Sequence, residues 1–187
     1  MLRILGLSGS LRRGSHNTRL LRAAATMLPP GVQLDVYDGL RELPPYDPDR
    51  DVEPADEAAA RLRDAIAEAD GVLIATPEYN GSIPGQLKNA LDWASRPFPD
   101  NALRGKPVAV IGASTGLFGA IWAQAEARKV LGIIGAEMID AELPVGQADA
   151  AFAEDSRLVE PEQRAALAEL VYVLSARAGA LQEAQAA

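Results

Sequence analysis

Val72-Leu73-Ile74-Ala75 is apolar at every position. A strand with one wet face alternates, whereas an unbroken apolar run is the pattern of a parallel strand covered on both faces. Upstream, Ala55, Ala59, Leu62, Ile66 and Ala69 recur at helical spacing as one buried stripe. Pro54 opens that helix, Asp56 and Glu57 suit the positive end of its first turn, and Gly71 stops it. Downstream, residues 76–83 read as a loop and 84–94 as a helix. Residues 107–112 repeat the central-strand pattern. A loop at 113–117 then leads to a helix that reaches Leu131 and ends at Gly132.

The flanks continue the alternation. Residues 2–7 form the first strand, and 17–28 form a helix with Leu20, Leu21, Ala24, Met27 and Leu28 on one face. Residues 32–37 alternate apolar and polar, as a strand nearer a sheet edge does. Residues 133–139 read as a fifth strand and 161–180 as a long helix, with a tail to Ala187 expected to fray. Residues 38–53, with Pro44, Pro45 and Pro48, form a long loop of the kind that is often functional. Five strands alternating with five helices call for an α/β three-layer sandwich around a parallel sheet. Right-handed crossovers make the flavodoxin-like five-stranded order 2-1-3-4-5 the simplest topology. One domain accounts for all 187 residues. In such sheets ligands sit beyond the carboxyl ends of the strands, at the switch point between strands 1 and 3.

Composition removes several function classes. The chain carries 18 Lys and Arg against 26 Asp and Glu, a net charge of −8. That balance disfavours nucleic acid and anionic membrane surfaces, and no apolar run is long enough to cross a bilayer. Without Cys there are no disulfides, thiolate nucleophiles or Cys-ligated metals. The single His, His16, leaves no multi-His zinc site and no triad with ligands to spare, so no metal is expected. The first residues lack a long apolar h-region and read as a strand of a cytoplasmic protein.

Three loops at the carboxyl edge carry the chemistry. The first, residues 6–18, offers Ser8, Ser10, Ser15, Asn17, Arg12 and Arg13 at a helix N-terminus. Free N–H groups and the helix dipole favour a phosphate there, and Arg12 can pair with two phosphate oxygens. The bare alternative is a helix cap by Ser15 or Asn17 with solvated arginines. Gly6, Gly9 and Gly14 are wrongly spaced for a dinucleotide fingerprint, and no Gly-Lys-Ser/Thr closes a Walker loop. In the second loop, residues 76–85, Pro77 and Pro84 stiffen the chain and Gly81 allows unusual backbone angles. A rigid loop can aim its backbone at a planar partner. Asn80-Gly81 is also an ordinary turn signal, with Ser82 available as a cap, and Glu78 reads as a capping or solvated carboxylate rather than a general base. The third loop, residues 112–119, combines Ser114, Thr115 and Gly116, small residues that admit a ligand close to the backbone or simply make a capped turn.

Together the stretches Gly9-Ser10-Leu11-Arg12-Arg13-Gly14-Ser15-His16-Asn17 and Pro77-Glu78-Tyr79-Asn80-Gly81-Ser82-Ile83-Pro84-Gly85-Gln86-Leu87-Lys88-Asn89-Ala90-Leu91-Asp92-Trp93-Ala94-Ser95-Arg96, with Gly112-Ala113-Ser114-Thr115-Gly116, resemble the NADPH-dependent FMN reductase family. The resemblance implies a flavodoxin-like enzyme with FMN as cofactor and NADPH or NADH as co-substrate. Hydride would pass to flavin N5, and a quinone, azo, chromate or flavin acceptor would then take two electrons by a ping-pong mechanism. It implies that Ser10, Arg12, Ser15, His16 and Asn17 hold the phosphate, His16 through its backbone. Pro77, Glu78, Tyr79, Asn80 and Gly81 would line the ring, and Ser114, Thr115 and Gly116 would close the other side, with no catalytic side chain beyond the flavin. A flavodoxin-type electron carrier and a flavin or redox sensor are the competing readings. Relatives resemble homodimers or homotetramers. Leu91, Trp93 and Pro97-Phe98-Pro99 would suit such a contact, unless Trp93 packs in its own core. The chain departs from the family pattern at Gly119-Ala120 and Trp122, where a Gly-Gly pair is frequent.

Overall fold

In the computed structural model, which describes residues 1–53 and 55–186, β3 (Gly71–Thr76) occupies the middle of the sheet with every residue buried. It pairs with β1 (Leu2–Ser8) on one side and on the other with β4 (Pro107–Ala113), which is also buried throughout. β2 (Val32–Tyr37) lies outside β1 with only half-buried and exposed residues, as its alternating sequence requires. All pairings are parallel and the order is 2-1-3-4-5. Parallel neighbours need crossovers, supplied by α1 (His16–Ala25), α2 (Glu57–Glu68), α3 (Gly85–Ala94) and α4 (Ile121–Ile134), with α5 (Pro161–Ala186) last.

The pleat sorts side chains between two apolar layers. Leu5, Leu7, Val72, Ile74, Val108 and Val110 pack with α2, α3 and α4, while Ile4, Leu73, Ala75, Ala109 and Ile111 pack with α1 and α5. Each aliphatic side chain so buried contributes roughly 1.5–3 kcal/mol, so β4 carries no polar residue and β3 none before Thr76.

The fifth position differs from expectation. α4 passes through Gly132 and ends at Ile134, where Gly135 takes a left-handed φ of 100°. The Gly135 and Ala136 N–H groups donate to the Gly132 and Leu131 carbonyls at 3.1 and 3.0 Å, a Schellman close. Ile133 is therefore a helical residue, 71% exposed. A short apolar run fits helix or strand equally, and two nearby glycines left the stop ambiguous. The sheet edge beside β4 is made instead from two short pieces. β5 (Glu137–Met138) pairs with Pro107 and Val108, and β6 (Pro144–Val145) pairs with Gly112 and Ala113.

Smaller shifts follow from capping. Asp56 caps α2 by accepting from the Ala58 N–H at 3.1 Å, so the helix starts at Glu57; it ends at Glu68, and Gly71 belongs to β3. The expected opening at Pro54 lies outside the described residues, as does the end of the tail at Ala187, although α5 itself reaches Ala186. α1 ends at Ala25, short of the expected 28.

The proline-rich segment 38–53 contains two 3-10 turns, Gly39–Glu42 and Pro48–Arg50, and α3 holds it down. Asn89 Nδ2 and Trp93 Nε1 donate to the Pro44 carbonyl at 2.8 and 2.9 Å, and Tyr46 N–H donates to Asn89 Oδ1 at 2.7 Å. Leu91 and Trp93 are both fully buried, so they are core residues and the expected surface contact is left to Phe98, 65% exposed. No helix among the described residues is long and apolar enough to cross a membrane.

Candidate active site

Loop one joins β1 to α1. Ser15 is the cap: its Oγ accepts from the Thr18 N–H at 3.1 Å and its carbonyl from the Arg19 N–H at 3.0 Å. The N–H groups of His16 and Asn17, first in the helix, have no acceptor within it and stand at its positive end. The Arg12 guanidinium donates to the Gly14 carbonyl at 2.7 Å and the Arg12 N–H to Ser10 Oγ at 3.4 Å, and Arg12 and Arg13 are both exposed. Asn17 is 2% exposed. Its Nδ2 donates to the Ala113 carbonyl and its Oδ1 accepts from the Ala113 N–H, each at 2.9 Å. The Asn17 side chain thus bolts α1 to the end of β4 and is not free for a ligand. His16 Nε2 lies 3.1 Å from Asp149 Oδ1, and its ring stacks on Phe152 at 6.0 Å.

Loop two follows β3 as a tight turn. Asn80 and Gly81 both have positive φ, 55° and 74°, and Tyr79 and Ser82 exchange backbone bonds at 3.0 and 3.2 Å. Two left-handed central residues make a type I′ turn, the geometry that Asn-Gly favours. Glu78 turns away toward α4, where its Oε2 accepts from the Trp122 and Ala123 N–H groups at 3.1 Å each. It is a capping carboxylate, complementing the helix dipole. Ser82 does not cap α3; its Oγ donates to Glu126 Oε2 at 2.5 Å, and Pro84 stands at the helix start.

Loop three is fixed by the chain that follows β6. Ser114 N–H donates to the Val145 carbonyl and Ala148 N–H to the Ser114 carbonyl, both at 3.0 Å, and Gln147 N–H to the Gly116 carbonyl at 2.9 Å. Gly119 has φ 59°, and a Cβ there would lie 2.5 Å from the Pro144 and Val145 backbone, so glycine is required. Ala120 shares the left-handed conformation at φ 62°.

The three loops enclose a cleft of about 170 Å³. Of the residues singled out from the sequence, Ser10, Arg12, His16, Asn17, Pro77, Glu78, Tyr79, Ser114 and Thr115 line it, joined by Ala113. Ser15 lies behind it as a buried cap, Asn80 and Gly81 stand at the exposed turn tip, and Gly116 faces the 145–148 segment. A larger depression, about 350 Å³, opens at the amino ends of the strands beside Lys106. That lysine is committed: it donates to the Ala67 and Ala69 carbonyls at the end of α2. Burial lowers its pKa against the opposing pull of Asp70. Asp149, Phe152 and Glu126 were missed from the sequence, because none stands near the motifs in the chain.

A sequence profile described as NADPH-dependent FMN reductase matches residues 2–150. The chain belongs to that family. An NAD(P)H-dependent FMN reductase of Pseudomonas aeruginosa is 40% identical to this family member over 164 residues, 87% of this chain and 88% of that one. A 2-hydroxy-1,4-benzoquinone reductase of Burkholderia sp is 47% identical over 129 residues, 69% of each chain. The solved structure of FerB, a flavoenzyme NAD(P)H:(acceptor) oxidoreductase from Paracoccus denitrificans, superposes with a TM-score of 0.84 at 34% identity, covering 96% of this chain and 98% of that one. The matches agree with the enzyme reading of the FMN reductase motifs.

Proposed function

We propose that this FMN reductase family member binds FMN in the three-loop cleft and passes two electrons from NAD(P)H to a small acceptor by a ping-pong mechanism. The observation that carries this reading is the cleft's donor set. The residues that line it carry the His16 and Asn17 N–H groups of a helix start, the Ser10, Ser114 and Thr115 hydroxyls and the Arg12 guanidinium, while its carboxylate, Glu78, is already spent on α4. Such a set suits a phosphate and a polar ring edge and rejects cations.

Ser10, Arg12 and the His16 and Asn17 backbones hold the phosphate, on a helix end shaped by Ser15. Pro77, Glu78, Tyr79, Asn80 and Gly81 present the stiff turn to the flavin ring, Glu78 through its backbone. Ser114, Thr115 and Gly116 close the opposite wall. FMN, when bound, supplies the hydride chemistry, and the protein supplies placement and electrostatics. With FMN bound, backbone N–H donors of the cleft would meet the ring's polar edge, where such donors stabilise negative charge as in an oxyanion hole. No side chain of the chain forms a covalent bond to substrate, and no metal takes part.

NAD(P)H and acceptor take turns at one cleft mouth. The names of the relatives favour a quinone as acceptor, with azo compounds, chromate and free flavin open to the same chemistry. We place the enzyme in the cytoplasm as a single domain assembled into a homodimer or homotetramer. Its contact would be through the exposed Phe118 and Trp122, which pack edge to face at 5.2 Å, and through Phe98. The test is steady-state NADPH oxidation with a quinone after loading with FMN. Parallel double-reciprocal lines support the proposal. Flavin that is bound but not turned over by NADPH would favour an electron carrier or sensor.

A further inference from the structure

We propose that Glu126 is the positioning residue for the loop that meets the flavin ring. The inference rests on the flavin reading above, and its experiment separates the two.

Glu126 lies on the second turn of α4, outside every motif in the sequence. One of its oxygens, Oε2, accepts from the Ser82 hydroxyl at 2.5 Å and from the Ile83 N–H at 3.2 Å. It therefore holds the residues where the Tyr79–Ser82 turn ends and rejoins the core; Ile83 is itself buried. Glu78 holds the other side of the same turn, at 3.1 Å from both the Trp122 and Ala123 N–H groups. The bonding is reciprocal: an acid from the loop caps the helix, and an acid from the helix grips the loop. Hydrogen bonds to an ionised acceptor are roughly twice as strong as neutral ones.

A turn tethered at one side can swing about that tether, whereas one tethered at both sides cannot. Between the tethers, Tyr79, Asn80 and Gly81 project outward, Tyr79 at the cleft and the other two at the exposed tip. The reference frame is rigid as well. Gly119 and Ala120 enter α4 with left-handed backbones, and Gly119 sits against the β6 backbone too closely for any side chain. No other α4 side chain among the described residues bonds to Ser82 or Ile83. Glu126 thereby sets where the turn stands, without touching the cleft itself.

The phosphate loop is independent of this tether, so the two ends of the ligand respond differently. Riboflavin has the ring without the phosphate. Glu126→Ala should weaken FMN and riboflavin by the same factor, about tenfold for the lost charge-assisted bonds. It should also blur the resolved visible spectrum of bound FMN and slow anaerobic bleaching by saturating NADPH at least about tenfold, since small misplacement at a reacting centre is costly in rate. Glu126→Gln, which keeps an acceptor oxygen at the same reach, should restore most of each. Ser82→Ala should move all three readouts the same way by less, and these two variants carry the test if the alanine variant does not fold. Variants with unchanged spectrum and bleaching rate, in a wild type that does bind FMN, would overturn the role of Glu126. Weakening of FMN alone would also overturn it, because the effect would then act at the phosphate end. A wild type that binds no flavin would bring down the flavin reading and this inference together.

Discussion

Replacing Asn17 by Ala deletes a side chain that is 2% exposed and makes two bonds of 2.9 Å to the backbone of Ala113. Ala113 lies one residue past the last β3 partner, Thr76 opposite Gly112, so no neighbouring strand on that side can replace the lost partners. Each buried backbone group left unsatisfied costs about 1–3 kcal/mol. Ala113 lines the cleft, and water entering there reduces the cost, which puts the total at about 2–4 kcal/mol. That is a large share of the roughly 5–15 kcal/mol that holds a domain together. At about 2–4 °C per kcal/mol for a chain of this size, the melting temperature should fall by roughly 5–15 °C. The assay is urea unfolding of the flavin-free protein followed by far-UV circular dichroism, with a lower midpoint and an unchanged slope expected. Asn17→Asp should recover less than half of the loss, because its second oxygen faces the Ala113 carbonyl instead of donating to it. A loss below about 0.5 kcal/mol, the range of an ordinary surface change, would refute the role of Asn17 as the bolt between α1 and β4.

Arg12→Ala should weaken FMN by about 10–100-fold, the worth of roughly 1.5–3 kcal/mol for hydrogen bonds to a charged group, and should leave riboflavin affinity and the urea midpoint unchanged. Equal FMN affinity by fluorescence titration would contradict the placement of the phosphate. Tyr37 has a buried hydroxyl without a hydrogen-bond partner among the described residues, and burial raises its pKa above the usual 10.0, with Arg61 opposing and Glu42 and Asp38 reinforcing. The folded chain keeps a proton that the unfolded chain releases, so this contribution is complete below about pH 10 and is lost as pH rises through the raised value. Tyr37→Phe should match or slightly exceed wild-type stability at pH 7 and lose less above pH 10; parallel stability curves would contradict this.

The sheet was legible because burial on two faces leaves no room for polar residues. Val72-Leu73-Ile74-Ala75 and residues 107–112 could be nothing but central strands once the amphipathic helices flanked them. The fifth position was not legible, because a two-residue strand carries too little pattern and Gly132 and Gly135 offer equal stop signals. The cleft was legible at the level of loops and less so at the level of side chains. The position of Asn17 marked it for a phosphate, yet its amide serves Ala113; Glu78 met the capping alternative, at a helix that local sequence could not specify. Partners separated by dozens of residues, such as Ser82 with Glu126 or His16 with Asp149, leave no periodic trace in one sequence. The 85–94 helix belongs to the stretch that carries the family resemblance, and its Asn89 and Trp93 fasten the proline-rich segment.

FMN-dependent turnover is tested most directly by the visible absorbance of the purified protein after incubation with FMN and desalting, recorded again after anaerobic addition of NADPH. The protein should retain a resolved flavin spectrum that NADPH bleaches, with colour returning when a quinone is added. A protein that emerges from desalting colourless, or one whose bound flavin stays oxidised under NADPH, would contradict it.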